Sequence, residues 1–209
     1  MSILEAARSL LESEGLSGTS LTGIAREAGL SKANLYRYFE NREGILMDLF
    51  LTEIDLWSGD WSRRLHLISE PGDPLAIAQS LADSLTSRRL YCLLFASLSS
   101  EIEPSLHRET IALGKRHLRQ TYIGLIEPLQ QAMPNLSKSQ ANEFLVLSAM
   151  FQIGIWSQAS PSPTTTALLQ EDEFIDMRID FAERIRWHAL ILLIGLDSVS
   201  QPRTRPMSS

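Results

Sequence analysis

Apolar residues recur at helical spacing, three or four apart, along almost the whole chain, and no alternating run of useful length interrupts them. That period dictates an all-α fold, because a helical stripe without sheets must be buried against other helices. Ile3, Ala6, Ala7, Leu10 and Leu11 form the first stripe, with Ser2 and Glu5 in capping-box positions ahead of it and Gly15 and Gly18 at its end. A second, short helix is expected over 21–28, between Ser20 and Gly29. A third follows Ser31 and reaches Phe39, and a fourth starts near Arg42 and continues past Trp57.

Turn signals space out the remainder. Pro71-Gly72-Asp73-Pro74 precedes a fifth helix over 75–86, and a sixth covers 88–101. A seventh begins around Pro104, proline being favoured in a first turn, and reaches Met133. Pro134 to Ser137 lead into an eighth over 138–157, and Pro161 to Thr166 read as a loop. A last helix, continuous or broken, spans 173–197, and the tail from Ser198 reads as disordered. The expectation is nine to ten helices: a head at 1–47, a larger body at 48–197 and a flexible tail at 198–209.

Composition narrows the function classes. An apolar content of 44% supports a core, and 19 basic against 25 acidic residues give a formal charge of −6, so nothing global points to nucleic acid or to an anionic membrane. The single cysteine, Cys92, excludes an internal disulfide framework and a cysteine-cluster metal site, and it suits a reducing compartment. The opening residues lack a basic n-region and carry glutamates, unlike a signal peptide. The longest apolar run, from His188 to Leu196, falls short of the roughly 20 residues a membrane-spanning helix requires. A cytoplasmic protein without a membrane partner is expected. No Gly-rich phosphate loop, nucleophile elbow or triad signature occurs, so neither a cofactor nor an enzymatic role is indicated. His107 and His117 lack the spacing of metal ligands on one helical face and read as solvated.

The informative segment is 20–39: two short helices joined by a tight turn around Ala28-Gly29-Leu30. Gly29 can adopt the left-handed conformation that ends the first helix, Ala25 permits close helix crossing, and Leu30 can fill the space beneath the turn. Ile24, Ala28, Leu35 and Phe39 would share a small core with Ala7, Leu10 and Leu11. Helix-turn-helix geometry then directs the second helix into a major groove. Around its inward residues Leu35 and Phe39 stand Lys32, Ala33, Asn34, Tyr36, Arg37 and Tyr38. Asn34 can pair with adenine, Lys32 or Arg37 with guanine, and Ala33 can lie against a thymine methyl. Hydroxyls of Thr22, Ser31 and Tyr36 can bond phosphates, and Arg42 adds charge at the start of the next helix. Between Gly29 and Arg42 three basic residues face Glu40 alone, although 1–47 as a whole carries five basic and six acidic residues. Positive charge is therefore confined to the recognition element, and binding should depend on having two heads.

The stretch SLTGIAREAGLSKANLYRYFENREGIL, with ILEAARSLLESEG before it, resembles the head of TetR-type transcriptional regulators over roughly the first fifty residues. Ile24-Ala25, Ala28-Gly29-Leu30-Ser31, Leu35-Tyr36, Tyr38-Phe39 and Arg42-Glu43 carry the resemblance. It implies base contacts from Lys32, Ala33, Asn34 and Arg37, and phosphate contacts from Ser31, Tyr36, Tyr38 and Arg42. Lysine is commoner in the family at the position of Arg42. Members also often carry a polar or basic arm ahead of the first helix, whereas here the helix begins at Ile3.

For the body the resemblance implies a small-molecule pocket and a homodimer built from the last two long helices, at about 138–157 and 173–197. The eighth helix is apolar on two faces, Phe144, Leu147, Phe151 and Ile155 on one and Leu145, Ala149 and Ile153 on another. Ile179, Ala182, Ile185, Ala189, Leu192 and Leu193 can supply a matching surface, although a single buried layer would also explain the pattern. Trp57, Trp61, Tyr91, Phe95, Tyr122, Phe151 and Trp156 are the pocket candidates, with Cys92 and Met150 beside them, and they suit a mostly apolar effector. Arg119, His117 or His107 could anchor a polar end. The expected function is a homodimeric repressor released from a palindromic double-stranded DNA operator by such a ligand. The alternatives are an activator of the same family, a helical binding protein or enzyme with a vestigial head, and a protein-interaction adaptor.

Overall fold

The computed structural model describes residues 2–200, and every regular element among them is a helix. Ten α-helices follow in chain order: α1 (Ile3–Gly18), α2 (Leu21–Glu27), α3 (Lys32–Leu35), α4 (Arg42–His66), α5 (Pro74–Thr86), α6 (Arg89–Ser97), α7 (Arg108–Ala132), α8 (Lys138–Ala159), α9 (Pro163–Leu168) and α10 (Phe181–Ser200). They pack as two compact units, 2–58 with 87–121 and 59–86 with 122–200.

In the first unit, sequence signals act where expected. The Ser2 hydroxyl accepts from the Glu5 N–H at 3.1 Å, and the Glu5 carboxylate accepts from the Ser2 N–H at 2.7 Å, so two orphan donors of α1 are satisfied reciprocally. Gly15 takes φ 68°, ψ −175° inside α1 and kinks it, so the last turn leaves in a new direction and ends on Thr19. Ala6, Ala7, Leu10, Leu11, Ile24, Ala25 and Leu35 are buried in this unit, as are Ile45, Leu46, Leu49 and Phe50 of α4. Ala28 and Phe39, expected in the small core of the head, are only half-buried. Arg8 forms an ion pair with Glu53, which is buried on α4, and ties α1 to that helix. Gly114 on α7 lets Met47 approach so closely that a Cβ there would lie 3.0 Å from the Met47 sulfur.

Several boundaries differ from the sequence reading. The sixth helix stops at Ser97 and continues as a π turn, Leu98–Ile102, then a 3-10 turn, Glu103–Ser105. Pro104 belongs to that 3-10 turn rather than to the start of α7, which begins at Arg108. Its fixed φ serves a tight turn as well as it serves a helix start. In the second unit, the segment 161–166 is not all loop. The Ser162 hydroxyl accepts from the Thr165 N–H at 3.2 Å and Pro163 takes the first turn, so α9 forms from a Ser-Pro start signal that loop-like composition concealed. The last helix begins at Phe181, not near Glu173, because Asp180 caps it by accepting from the Glu183 N–H at 2.9 Å. It also continues through residues 198–200, which the sequence places in the tail; the rest of that segment, 201–209, lies outside the described residues.

Candidate nucleic-acid interface

α2 ends in a Schellman motif. Gly29 has φ 70°, its N–H donates to the Arg26 carbonyl at 3.1 Å, and the Leu30 N–H donates to the Ala25 carbonyl at 2.9 Å. The left-handed residue reverses the chain within two positions, and Ser31 then caps α3 by accepting from the Asn34 N–H at 3.2 Å. That bond uses one hydroxyl lone pair and leaves the Ser31 O–H proton available to an outside acceptor.

α3 is regular only over Lys32–Leu35, shorter than the helix to Phe39 that periodicity suggests. The next residues stay coiled but tighten. Arg37 N–H donates to Asn34 O at 3.3 Å and Tyr38 N–H to Leu35 O at 3.0 Å, both i to i−3 bonds, before Phe39 returns to Leu35 O at 3.1 Å. Leu35 is fully buried and holds this segment to the core. Ser31, Lys32, Ala33, Asn34, Tyr36, Arg37 and Tyr38 are all exposed around it, and Thr22 is exposed on α2. Lys32 Nζ lies 5.7 Å from the centre of the Tyr36 ring, a cation–π contact one turn apart. Tyr36 and Tyr38, 49% and 73% exposed, present large amphipathic surfaces with no core function to explain them.

Arg42 is placed differently from the rest of the set. Its Nη1 donates to the Leu16 and Thr19 carbonyls at 3.1 and 3.0 Å, and its Nε donates to Glu43 Oε1 at 2.9 Å. Nη2 lies 2.8 Å from the same oxygen. The guanidinium fork is turned inward onto the last turn of α1, whose carbonyls lack helical partners. Asn41, which the sequence reading passed over, caps α4 by accepting from the Gly44 N–H at 2.9 Å. An asparagine ahead of Arg-Glu-Gly at a helix start was the available signal.

Residues 3–49 match the family described as bacterial regulatory proteins, tetR family, and residues 51–199 match the tetracyclin repressor-like C-terminal domain. The chain belongs to the TetR family. Relatives of this TetR-family chain include the HTH-type transcriptional regulator BetI of Burkholderia lata, 25% identical over 183 residues that cover 84% of this chain and 91% of that protein. The BetI regulator of Proteus mirabilis is 26% identical over 194 residues, covering 87% and 92%. Among solved structures, the TetR family regulator PfmR of Thermus thermophilus superposes with a TM-score of 0.58 at 19% identity, covering 94% of this chain and 99% of that one. The TetR family repressor AlkX of Dietzia sp. gives 0.55 at 19%, covering 95% of each chain. The TetR-family chain is thus a DNA-binding transcriptional regulator and not an enzyme, which removes the reading of a catalyst with a vestigial head.

The aromatic residues proposed for an effector pocket fall into the two units. In the first, Tyr91 stacks on Trp57 at 5.0 Å and on Phe95 at 5.6 Å, while Phe50, missed in the sequence reading, lies 5.4 Å from Phe95. All four are buried, as is Cys92 between them in sequence. In the second, Trp61 is buried and donates from Nε1 to the Ser80 hydroxyl at 3.1 Å, Trp156 meets Phe181 edge-on at 5.2 Å, and Tyr122 is half-buried. Phe151 stacks on His188 of α10 with ring centres 4.0 Å apart. Burial holds that imidazole below the usual histidine range, against a smaller opposing effect of a hydrogen bond with the Leu147 backbone. His107 and His117 pair instead with Glu40 and Asp55, each at 2.7 Å, on largely exposed surface. No described helix is long and apolar enough to cross a membrane.

Proposed function

We propose that this chain is a cytoplasmic homodimeric repressor whose two heads grip successive half-sites of a palindromic operator, and which a small, mostly apolar ligand releases. The observation that carries the DNA reading is the exposed set on the segment anchored by fully buried Leu35. Lys32, Ala33, Asn34 and Arg37 face base edges, and Thr22, Ser31, Tyr36 and Tyr38 reach phosphates, while Arg42 braces the segment by clamping the end of α1. The head over 1–47 forms the DNA-binding domain and 48–197 the ligand-binding and dimerisation domain.

Dimerisation is supported by apolar residues left open on two long helices. On α10 Trp187, Ile191 and Ile194 are 46%, 65% and 52% exposed at spacings of four and three, which places them on one face. On α8 Met150 is 62% exposed and Gly154 is open one turn later. Such a seam is what a two-fold partner would cover. For the effector, Trp57, Tyr91 and Phe95 in one unit and Trp61, Tyr122, Phe151 and Trp156 in the other remain the residues to substitute first.

The test is fluorescence anisotropy on the intergenic DNA upstream of the gene across a salt series, with Tyr36→Ala and Lys32→Ala beside the wild type. Tight binding to a palindromic segment that weakens steeply in salt and fails in both folded variants supports the reading. Weak binding, indifferent to sequence and to both substitutions, refutes it.

A further inference from the structure

We propose that Asn41 is a positioning residue that latches the DNA-binding head to the turn joining α6 and α7, so that a change in that turn reaches the recognition segment directly. The proposal rests on the reading of this chain as a ligand-responsive regulator and names a route for that response.

One side chain makes both ends of the latch. Its Oδ1 accepts from the Gly44 N–H at 2.9 Å and so caps α4, while its Nδ2 donates to the Ser105 carbonyl at 2.8 Å. Asn41 lies two residues past Phe39, whose N–H closes the recognition segment on Leu35 O. Ser105 ends the 3-10 turn that follows the π turn, and its carbonyl belongs to the orphan acceptors left where such a turn stops. An amide is required at this site. A Ser, Thr or Asp cap satisfies Gly44 equally well, but none of them presents an N–H to a carbonyl at the same time.

The far side of the latch is held as one piece. The π turn is an irregular helical step of the sort found where helices bend, yet Leu98 and Ile102 within it are buried at 3% and 0% exposure. Lys115 on α7 pairs with Glu103 at 2.5 Å. The turn is therefore held from below and from α7, and its movement carries the Ser105 carbonyl with it. The neighbouring His107–Glu40 pair spans the same gap, but its side chains are 74% and 75% exposed and water screens it, so it holds little.

The cap and the latch can be separated. Asn41→Asp keeps the cap acceptor, adds a charge that a helix N-terminus favours, and turns an acceptor toward Ser105 O in place of the donor. Pro104→Gly loosens the turn by releasing the fixed φ. Hydrogen exchange is measured on the full-length protein without DNA for the wild type, each single variant and the double variant. The expected result is that Pro104→Gly speeds exchange at 98–107 in both backgrounds. At 36–45 it does so about three- to tenfold in the wild-type background, the range one net hydrogen bond supports, and not in Asn41→Asp. An equal effect of Pro104→Gly at 36–45 in both backgrounds, or none there in the wild type, overturns the latch. Unchanged thermal midpoints in Asn41→Asp show that the cap is intact. Anisotropy on the upstream intergenic duplex is measured with the same four proteins. Coupling seen in exchange with no binding by the wild type refutes the proposed repression at that upstream operator and leaves the latch standing. Binding whose affinity Pro104→Gly shifts only when Asn41 is present supports both.

Discussion

Replacing Arg42 separates two roles that a basic residue at this position can have. As a phosphate anchor it would act through charge; as a clamp it acts through geometry. The guanidinium donates to two backbone carbonyls of α1 and shares a Glu43 oxygen, with side-chain exposures of 24% for Arg42 and 15% for Glu43. Hydrogen bonds to charged groups are worth about 1.5–3 kcal/mol when well buried. Here water reaches the carbonyls in part, so we take about 2 kcal/mol for the whole set lost in Arg42→Ala. For a chain of this size that lowers the melting midpoint by about 4–8 °C. Arg42→Lys preserves the charge but not the fork, and it should lose about half as much. The salt dependence of DNA binding is the decisive readout. Deleting one phosphate contact from each of two heads would make the slope of log K against log salt shallower by about 1.8, whereas loss of a clamp weakens binding by the same factor at every salt concentration. Calorimetry beside an anisotropy salt series tests this. An unchanged midpoint in Arg42→Ala together with a shallower slope would refute the clamp and restore the phosphate anchor.

Three further outcomes are expected. Gly29→Ala should destabilise the head by about 1 kcal/mol and Gly29→Asn by less, because φ is 70° while a Cβ would meet nothing within 4 Å; equal stability of all three in chemical denaturation would contradict this. Burial lowers the pKa of His188, so the unfolded chain binds the proton more readily and stability falls as the pH drops below about 6.5 toward the depressed native value. His188→Gln should flatten the dependence of the midpoint between pH 7.5 and the acid limb, and an identical profile would refute the assignment. Ile191→Glu places a carboxylate on the open α10 face, and light scattering should then report a particle of 23.4 kDa where the wild type gives twice that mass; a wild-type monomer would remove the proposed seam.

Much of this molecule was legible in one dimension because the physics that shapes it is local. Helical periodicity gave the all-α class, the Ser2–Glu5 box and Ser20 and Ser31 marked helix starts, and Gly29 marked the turn, since caps and left-handed residues act over only a few positions. Where two local signals compete, a helix boundary is harder to place. Pro104 suggested a helix start and sits in a 3-10 turn, and Ser162-Pro163 was passed over inside a stretch of loop-like composition. Other features could not be found by any local reading. That Arg42 folds back on Leu16 and Thr19, that Asn41 reaches Ser105, and that Arg8 meets Glu53 each depends on residues more than twenty positions apart. Which aromatic residues stack, and which apolar positions on α8 and α10 stay open, was likewise settled only when the helices packed. A helix's period says that one face must be covered. It does not say which side chain across the gap will cover it, because that is set by the crossing of whole helices and not by neighbours in the chain.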